Sequence, residues 1–182
     1  LKAYPVIAET VSRVHHGFKT EVDDLWPMII ADLTKKTDAK KALWFCGHSL
    51  GAAMAVIMSS RCLHLEDVPN PEELYTFGCP RVGWPKYCNS LGVTHHRWVN
   101  NNDVVTRVPL TIMGYRHHGT EHYLNTWGNI RTLHGWQRIK DRFRGMWHGI
   151  KKGKIDNFSD HSIDQYEIHI KKASQGMETL QV

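Results

Sequence analysis

The stretch Ala42-Leu43-Trp44-Phe45-Cys46-Gly47-His48-Ser49-Leu50-Gly51-Ala52-Ala53 decides how this chain folds. Its first five residues form an apolar run long enough for a fully buried central strand, bounded by Gly47. Positions 50–65 are rich in Ala, Met, Leu and Ile with no internal proline, the composition of a helix. Strand and helix are joined by only a few residues, and on that turn lies Gly47-His48-Ser49-Leu50-Gly51, a G-x-S-x-G. Glycines there permit a tight elbow that thrusts the serine hydroxyl out at the sheet's edge. The letters alone recur in roughly one chain in twenty of this length by composition. Their position between a strand pattern and a helix pattern is what makes them informative.

Upstream, Val22, Leu25, Trp26, Ile29, Ile30 and Leu33 recur at i, i+3, i+4, i+7 spacing, which predicts an amphipathic helix over 19–34 with Pro27 as a point of kinking. Downstream, 74–77 and 97–99 read as strands, each followed by loop formers: Gly78 and Pro80 after the first, Asn100, Asn101 and Asn102 after the second. Alternating strands and helices predict an α/β fold with a mostly parallel sheet flanked by helices. Segments 121–124 and 129–132 are spaced to pair as a hairpin at the sheet edge, and a helix is expected near 136–147. Ser162-Ile163-Asp164-Gln165 fits the S-x-x-Q capping box, with Tyr166, Ile170 and Ala173 continuing at helical spacing. His161 therefore falls on the loop before a capped helix.

With 182 residues, 41% apolar, and no repeat or low-complexity block, the chain reads as one domain over 1–182. Lysine and arginine number 23 against 18 acids, a modest excess spread along the chain. The densest basic run, Lys151-Lys152-Gly153-Lys154, reads as a solvated turn, so no nucleic-acid partner is expected. The longest apolar stretch, around 52–58, falls far short of the roughly 20 residues of a transmembrane span, and Leu1 to Pro5 carry no signal-peptide core. Cys46, Cys62, Cys79 and Cys88 show no C-x-x-C spacing; Cys46 in its apolar run and Cys62 on a helical pattern are expected to be buried and reduced.

A serine hydroxyl is a poor nucleophile near neutral pH and needs a base within hydrogen-bond reach, with a carboxylate to fix that base's tautomer. Asp103 lies in the loop after the Trp98–Val99 strand, at the sheet edge where Ser49 emerges if the strands are parallel. A turn-capping aspartate is the alternative for it. Among 13 histidines, His161 stands out because it follows the serine and the acid in chain order and is held on a loop beside a capped helix. Asp160 next to it reads as a capping or salt-bridge residue, because its side chain points elsewhere. The pairs His15–His16, His95–His96 and His117–His118 lack ligand spacing, and no metal or other cofactor is expected.

These residues sit in blocks that resemble the class 3 lipases, fungal-type triacylglycerol lipases of the α/β-hydrolase superfamily. Val14-His15-His16-Gly17-Phe18 is similar to the family's V-H-x-G-F, Gly47 to Ala53 to its G-H-S-L-G-A-A elbow, and Tyr75 to Gly83 to its Y-T-F-G-x-P-R-V-G. Asn100 to Pro109, Gly114 to His117 with Gly119 to Glu121, and Asp160-His161-Ser162 with Tyr166 complete six ordered blocks. The resemblance implies Ser49 as nucleophile, Asp103 as acid, His161 as base, and the backbone N–H of Leu50 as an oxyanion-hole donor. It also implies that the chain begins inside the family's fold, without its first strands, its lid and the second oxyanion donor. His16-Gly17 is an alternative donor loop, although the resemblance puts it on a surface segment leading into the first helix.

The function expected is a serine carboxylic-ester hydrolase, a lipase or esterase acting on acylglycerols or related esters, with an ester or lipid substrate and transient contact with a lipid interface. The alternatives are a catalytically silent lipase-like fragment acting as a binding module, or a feruloyl esterase or phospholipase using the same triad.

Overall fold

The apolar run does extend, and the turn does follow it. In the computed structural model, which describes residues 5–35, 41–131 and 159–178, strand β3 (Leu43–His48) leads directly into helix α2 (Ser49–Cys62). Before them a short antiparallel pair, β1 (Pro5–Ile7) and β2 (Arg13–His15), precedes helix α1 (His16–Leu33), which runs on through Pro27. After them come β4 (Pro71–Phe77), the short helix α3 (Pro85–Ser90), β5 (Thr94–Asn100), β6 (Thr120–Leu124), β7 (Ile130–Arg131) and helix α4 (Ile163–Glu178).

Among the described residues five strands form one sheet in the order β3-β4-β5-β6-β7. The first four are parallel, and β7 returns antiparallel to β6 as the expected edge hairpin. The α/β architecture read from alternation is therefore present. The helix expected near 136–147 lies outside the described residues.

Two expectations about burial are overturned. Among the described residues strand β3 is not a buried central strand: it is the outer strand of the sheet, pairing with β4 alone, and Trp44 and Cys46 on one of its faces are exposed. An apolar run reports what a strand's faces can tolerate, not whether neighbours cover them. The segment leading into α1 is likewise not a surface feature. Val14, His15, Gly17 and Phe18 are buried, because β2 hydrogen-bonds to the chain at Val82 and packs the start of α1 against the core.

The core lies between the sheet and helices α1 and α2. Val22 of α1, Ala52, Ala53 and Val56 of α2, and Leu74 of β4 are almost wholly buried in it. Small residues on α2 let that helix approach closely, and it is covered nearly all round from Ala52 to Cys62. Its buried Arg61 is neutralised by Asp23 of α1 and by Glu9. All four cysteines are free thiols; burial pushes Cys79 up to about 12 and Cys62 and Cys88 up to about 11, so these three stay protonated.

Candidate active site

Parallel strands bring their carboxyl ends to one edge, and the residues after β3, β4 and β5 meet there. Ser49 takes a left-handed backbone, φ 57°, at the junction of β3 and α2. That strain is rare in a non-glycine residue and turns the side chain out of the helix path. Only one of the two elbow glycines is forced by space. A Cβ on Gly47 would lie 2.4 Å from the Gly51 carbonyl oxygen, whereas a Cβ on Gly51 would meet nothing.

The structure brings Ser49, His161 and Asp103 together. His161 Nε2 lies 2.7 Å from Ser49 Oγ, and His161 Nδ1 lies 2.9 and 3.0 Å from the two carboxylate oxygens of Asp103. An ionised carboxylate only accepts, so Nδ1 carries the proton and Nε2 is left to accept from the serine O–H. Asp103 is completely buried and also accepts from the Val105 N–H at 2.9 Å and the Tyr166 O–H at 2.7 Å. His161 sits in the last position of a tight helical turn, Ser159–His161, directly before α4. The Ser162 carbonyl then accepts from the N–H groups of Gln165 and Tyr166 as α4 begins.

Several residues that fix this geometry did not stand out from the sequence. His48 donates from Nε2 to the His161 carbonyl at 2.7 Å and stacks its ring on that of His161. Burial lowers the His48 pKa against the opposing pull of that carbonyl, which keeps its ring neutral. Tyr166 receives the Asn100 N–H and passes its own proton toward Asp103, a relay that ties α4 to the end of β5. Burial, then the Asp103 charge, hold the Tyr166 phenol far above its ordinary range, so it stays a donor. Gly78, φ 61°, packs so closely that a Cβ there would lie 2.8 Å from Asp103 Oδ2 and 2.9 Å from His161 Nδ1.

Asp160 ties its turn to the loop that follows β5. Its carboxylate accepts from Asn101 Nδ2 and the Asn102 N–H, and its carbonyl accepts from Asn100 Nδ2. Two of the three histidine pairs are engaged elsewhere: His95 bonds Thr76 and His118, and His117 donates to the Thr106 carbonyl. Among the described residues no group of three or more side chains is gathered to hold a metal ion.

Beside Ser49 and Leu50 opens a cavity of about 430 Å³ with a mostly apolar wall, to which Phe18, Val105 and Leu110 contribute. Leu50 is in the first turn of α2, and no side chain caps that helix at its start. The orphan N–H groups of such a turn are ready donors to an anion.

A parallel sheet with a serine elbow, a histidine and a buried acid at its carboxyl edge defines an α/β-hydrolase. Residues 2–113 match the family Lipase (class 3), and the chain belongs to that family. It is 32% identical over 130 residues to a lipase of Rhizomucor miehei, which covers 67% of this chain and 35% of that protein. It is 32% identical over 117 residues to secreted mono- and diacylglycerol lipase 1 of Fusarium solani, covering 62% and 34%. The solved triacylglyceride lipase of Rhizomucor miehei superposes with a TM-score of 0.62 at 30% identity, over 68% of this chain and 50% of that one. Another solved neighbour, TM-score 0.61 at 29% identity over 70% of this chain and 51% of that one, is described as a triacylglycerol lipase whose catalytic centre is a serine protease triad. The chain spans about a third of the length of the curated relatives it matches.

Proposed function

We propose that this chain, as a single domain, is the catalytic part of a serine carboxylic-ester hydrolase, a lipase or esterase acting on acylglycerols or related esters. The observation that carries the reading is an unbroken hydrogen-bonded line, Ser49 to His161 to buried Asp103, opening on an apolar cavity. The likeness to lipases, one of them with a triad of this kind, supports it.

In this reading His161 Nε2 takes the proton of Ser49 as Oγ attacks the ester carbonyl, and Asp103 stabilises the imidazolium that forms. The Leu50 N–H, at the positive end of α2, donates to the oxyanion of the tetrahedral intermediate. His161 then protonates the leaving alcohol. Water enters, loses its proton to His161, and attacks the acyl-serine to free the acid and Ser49. No step calls on a cofactor.

Contact with a lipid interface belongs to the same proposal. Val108, Leu110 and Met113 of the cavity lining stand exposed, and Ile112, next to Met113 in the chain, exposes 90% of its surface. An apolar rim around an apolar cavity suits a substrate presented in an aggregate. No helix among the described residues is long and apolar enough to cross a membrane.

The test is turnover of a short-chain nitrophenyl ester by the wild type and by Ser49→Ala. Turnover that disappears in the variant supports the reading. Turnover that survives removes Ser49 from the mechanism, and a cooperatively folded wild type with no turnover favours the binding-module alternative.

A further inference from the structure

Among the described residues that line the cavity beside Ser49, one other has a polar N or O in its side chain. Phe18, Leu50, Pro80, Val105 and Leu110 have only carbon in their side chains, whereas His15, which lines the same wall, carries an imidazole. His15 ends β2 and is the N-cap of α1. Its Nδ1 accepts from the Phe18 N–H at 3.4 Å, and its ring lies on that of Phe18 with centroids 4.0 Å apart.

An accepting Nδ1 leaves the proton of a neutral ring on Nε2. Burial holds the ring's pKa below its ordinary value, so the ring is neutral at pH 7. The Nε2–H has no hydrogen-bond partner among the described residues, and it is not one of the unpartnered atoms sealed from solvent. His15 as a whole is only 3% exposed and it lines the cavity, which is where an open Nε2–H has room to face.

A fixed donor in an apolar wall is left unsatisfied by a hydrocarbon chain and satisfied by an oxygen at the right depth. We propose that His15 Nε2–H is a polar subsite of the cavity, and that the acyl groups it takes best carry an ether, keto or hydroxyl oxygen level with that ring. The inference rests on reading the cavity as the acyl site. A site that hydrogen-bonds part of its substrate discriminates against analogues lacking that group.

The experiment compares two fluorophosphonates of equal chain length, one all-carbon and one with a single ether oxygen scanned along the chain. Labelling rates are measured for the wild type, His15→Phe and His15→Ser. His15→Phe keeps an aromatic ring against Phe18, and His15→Ser keeps an acceptor for the Phe18 N–H, so one tolerates what the other loses. Dividing the ether-to-carbon ratio of the wild type by that of each variant cancels the chains' different hydrophobicity. The expected quotient is on the order of tenfold at one oxygen position, the worth of one neutral hydrogen bond.

A quotient near one at every position, in both variants, overturns the subsite. If neither probe labels the wild type, the failure lies with the nucleophile instead. The same quotient is then taken from calorimetric affinities of the two parent alcohols, and it decides the subsite on the same criterion.

Discussion

Substituting Gly78 by alanine puts a methyl group against two side chains of the site at once. Its Cβ would stand 2.8 Å from Asp103 Oδ2 and 2.9 Å from both Nδ1 and Cε1 of His161, and ordinary contact begins at 3.4 Å. Asp103 is fully buried and held by Val105 and Tyr166, so the displacement of about half an ångström falls mainly on the His161 ring. That ring must keep Nε2 at 2.7 Å from Ser49 Oγ, and misplacement of about 1 Å costs on the order of a hundredfold in rate. The left-handed backbone adds roughly 1–2 kcal/mol of strain for any residue with a Cβ. The expected result is a ten- to hundredfold fall in kcat on a nitrophenyl ester, with a melting temperature lowered by only a few degrees. A folded Gly78→Ala protein with wild-type turnover would refute the claim that this glycine makes room for the histidine.

The two elbow glycines part company in the same test. Gly47→Ala drives a Cβ into backbone and is expected to abolish cooperative folding, whereas Gly51→Ala enters open space on a helix and is expected to raise stability by up to about 1 kcal/mol in urea unfolding; equal effects would contradict the packing described. Tyr166→Phe removes one donor from buried Asp103 and is expected to lower stability by about 1–3 kcal/mol and kcat with it, the two being read from urea midpoints and ester turnover. Burial above all, then neighbouring His118, lowers His95 to about 3. Because the unfolded imidazole binds a proton below about 6.5 and the folded one does not, stability is full above that pH and is lost on acidification. The loss is about 1.4 kcal/mol per pH unit down towards pH 3, so stability curves of wild type and His95→Gln are expected to converge as pH falls from 7 to 4, and parallel curves would contradict this. Ile112→Ser is expected to weaken flotation with phosphatidylcholine vesicles severalfold while leaving turnover of a soluble ester in place; unchanged flotation would dismiss the rim as a lipid contact.

Much of the site was legible because its letters lie on junctions. Ser49 is marked by a strand pattern ending and a helix pattern beginning, Asp103 by a run of asparagines after a strand, and His161 by the capped helix that follows. What escaped was every partner set by the third dimension. Gly78 looks like one loop former among many, and only its contacts show that it abuts the histidine. His48 is a variable letter of the elbow pattern, yet it holds the His161 carbonyl 113 positions away. Tyr166 fits the helical period in the sequence, while its hydroxyl serves β5 and Asp103. The burial of β3 was misjudged for a related reason: an apolar run records compatibility with cover on both faces, and exposed Trp44 shows that cover is a property of neighbours. His15 was legible as part of a V-H-x-G-F block, but its place in the cavity wall was not, because β2 is too short to show period-2 alternation.

The most direct measurement is intact-mass and peptide-mapping spectrometry of the chain after exposure to a fluorophosphonate. One adduct per chain is expected, on the peptide containing Ser49, forming more slowly in His161→Ala by on the order of a hundredfold or more. An adduct on another serine, or one that forms at Ser49 equally fast without His161, would contradict that expectation.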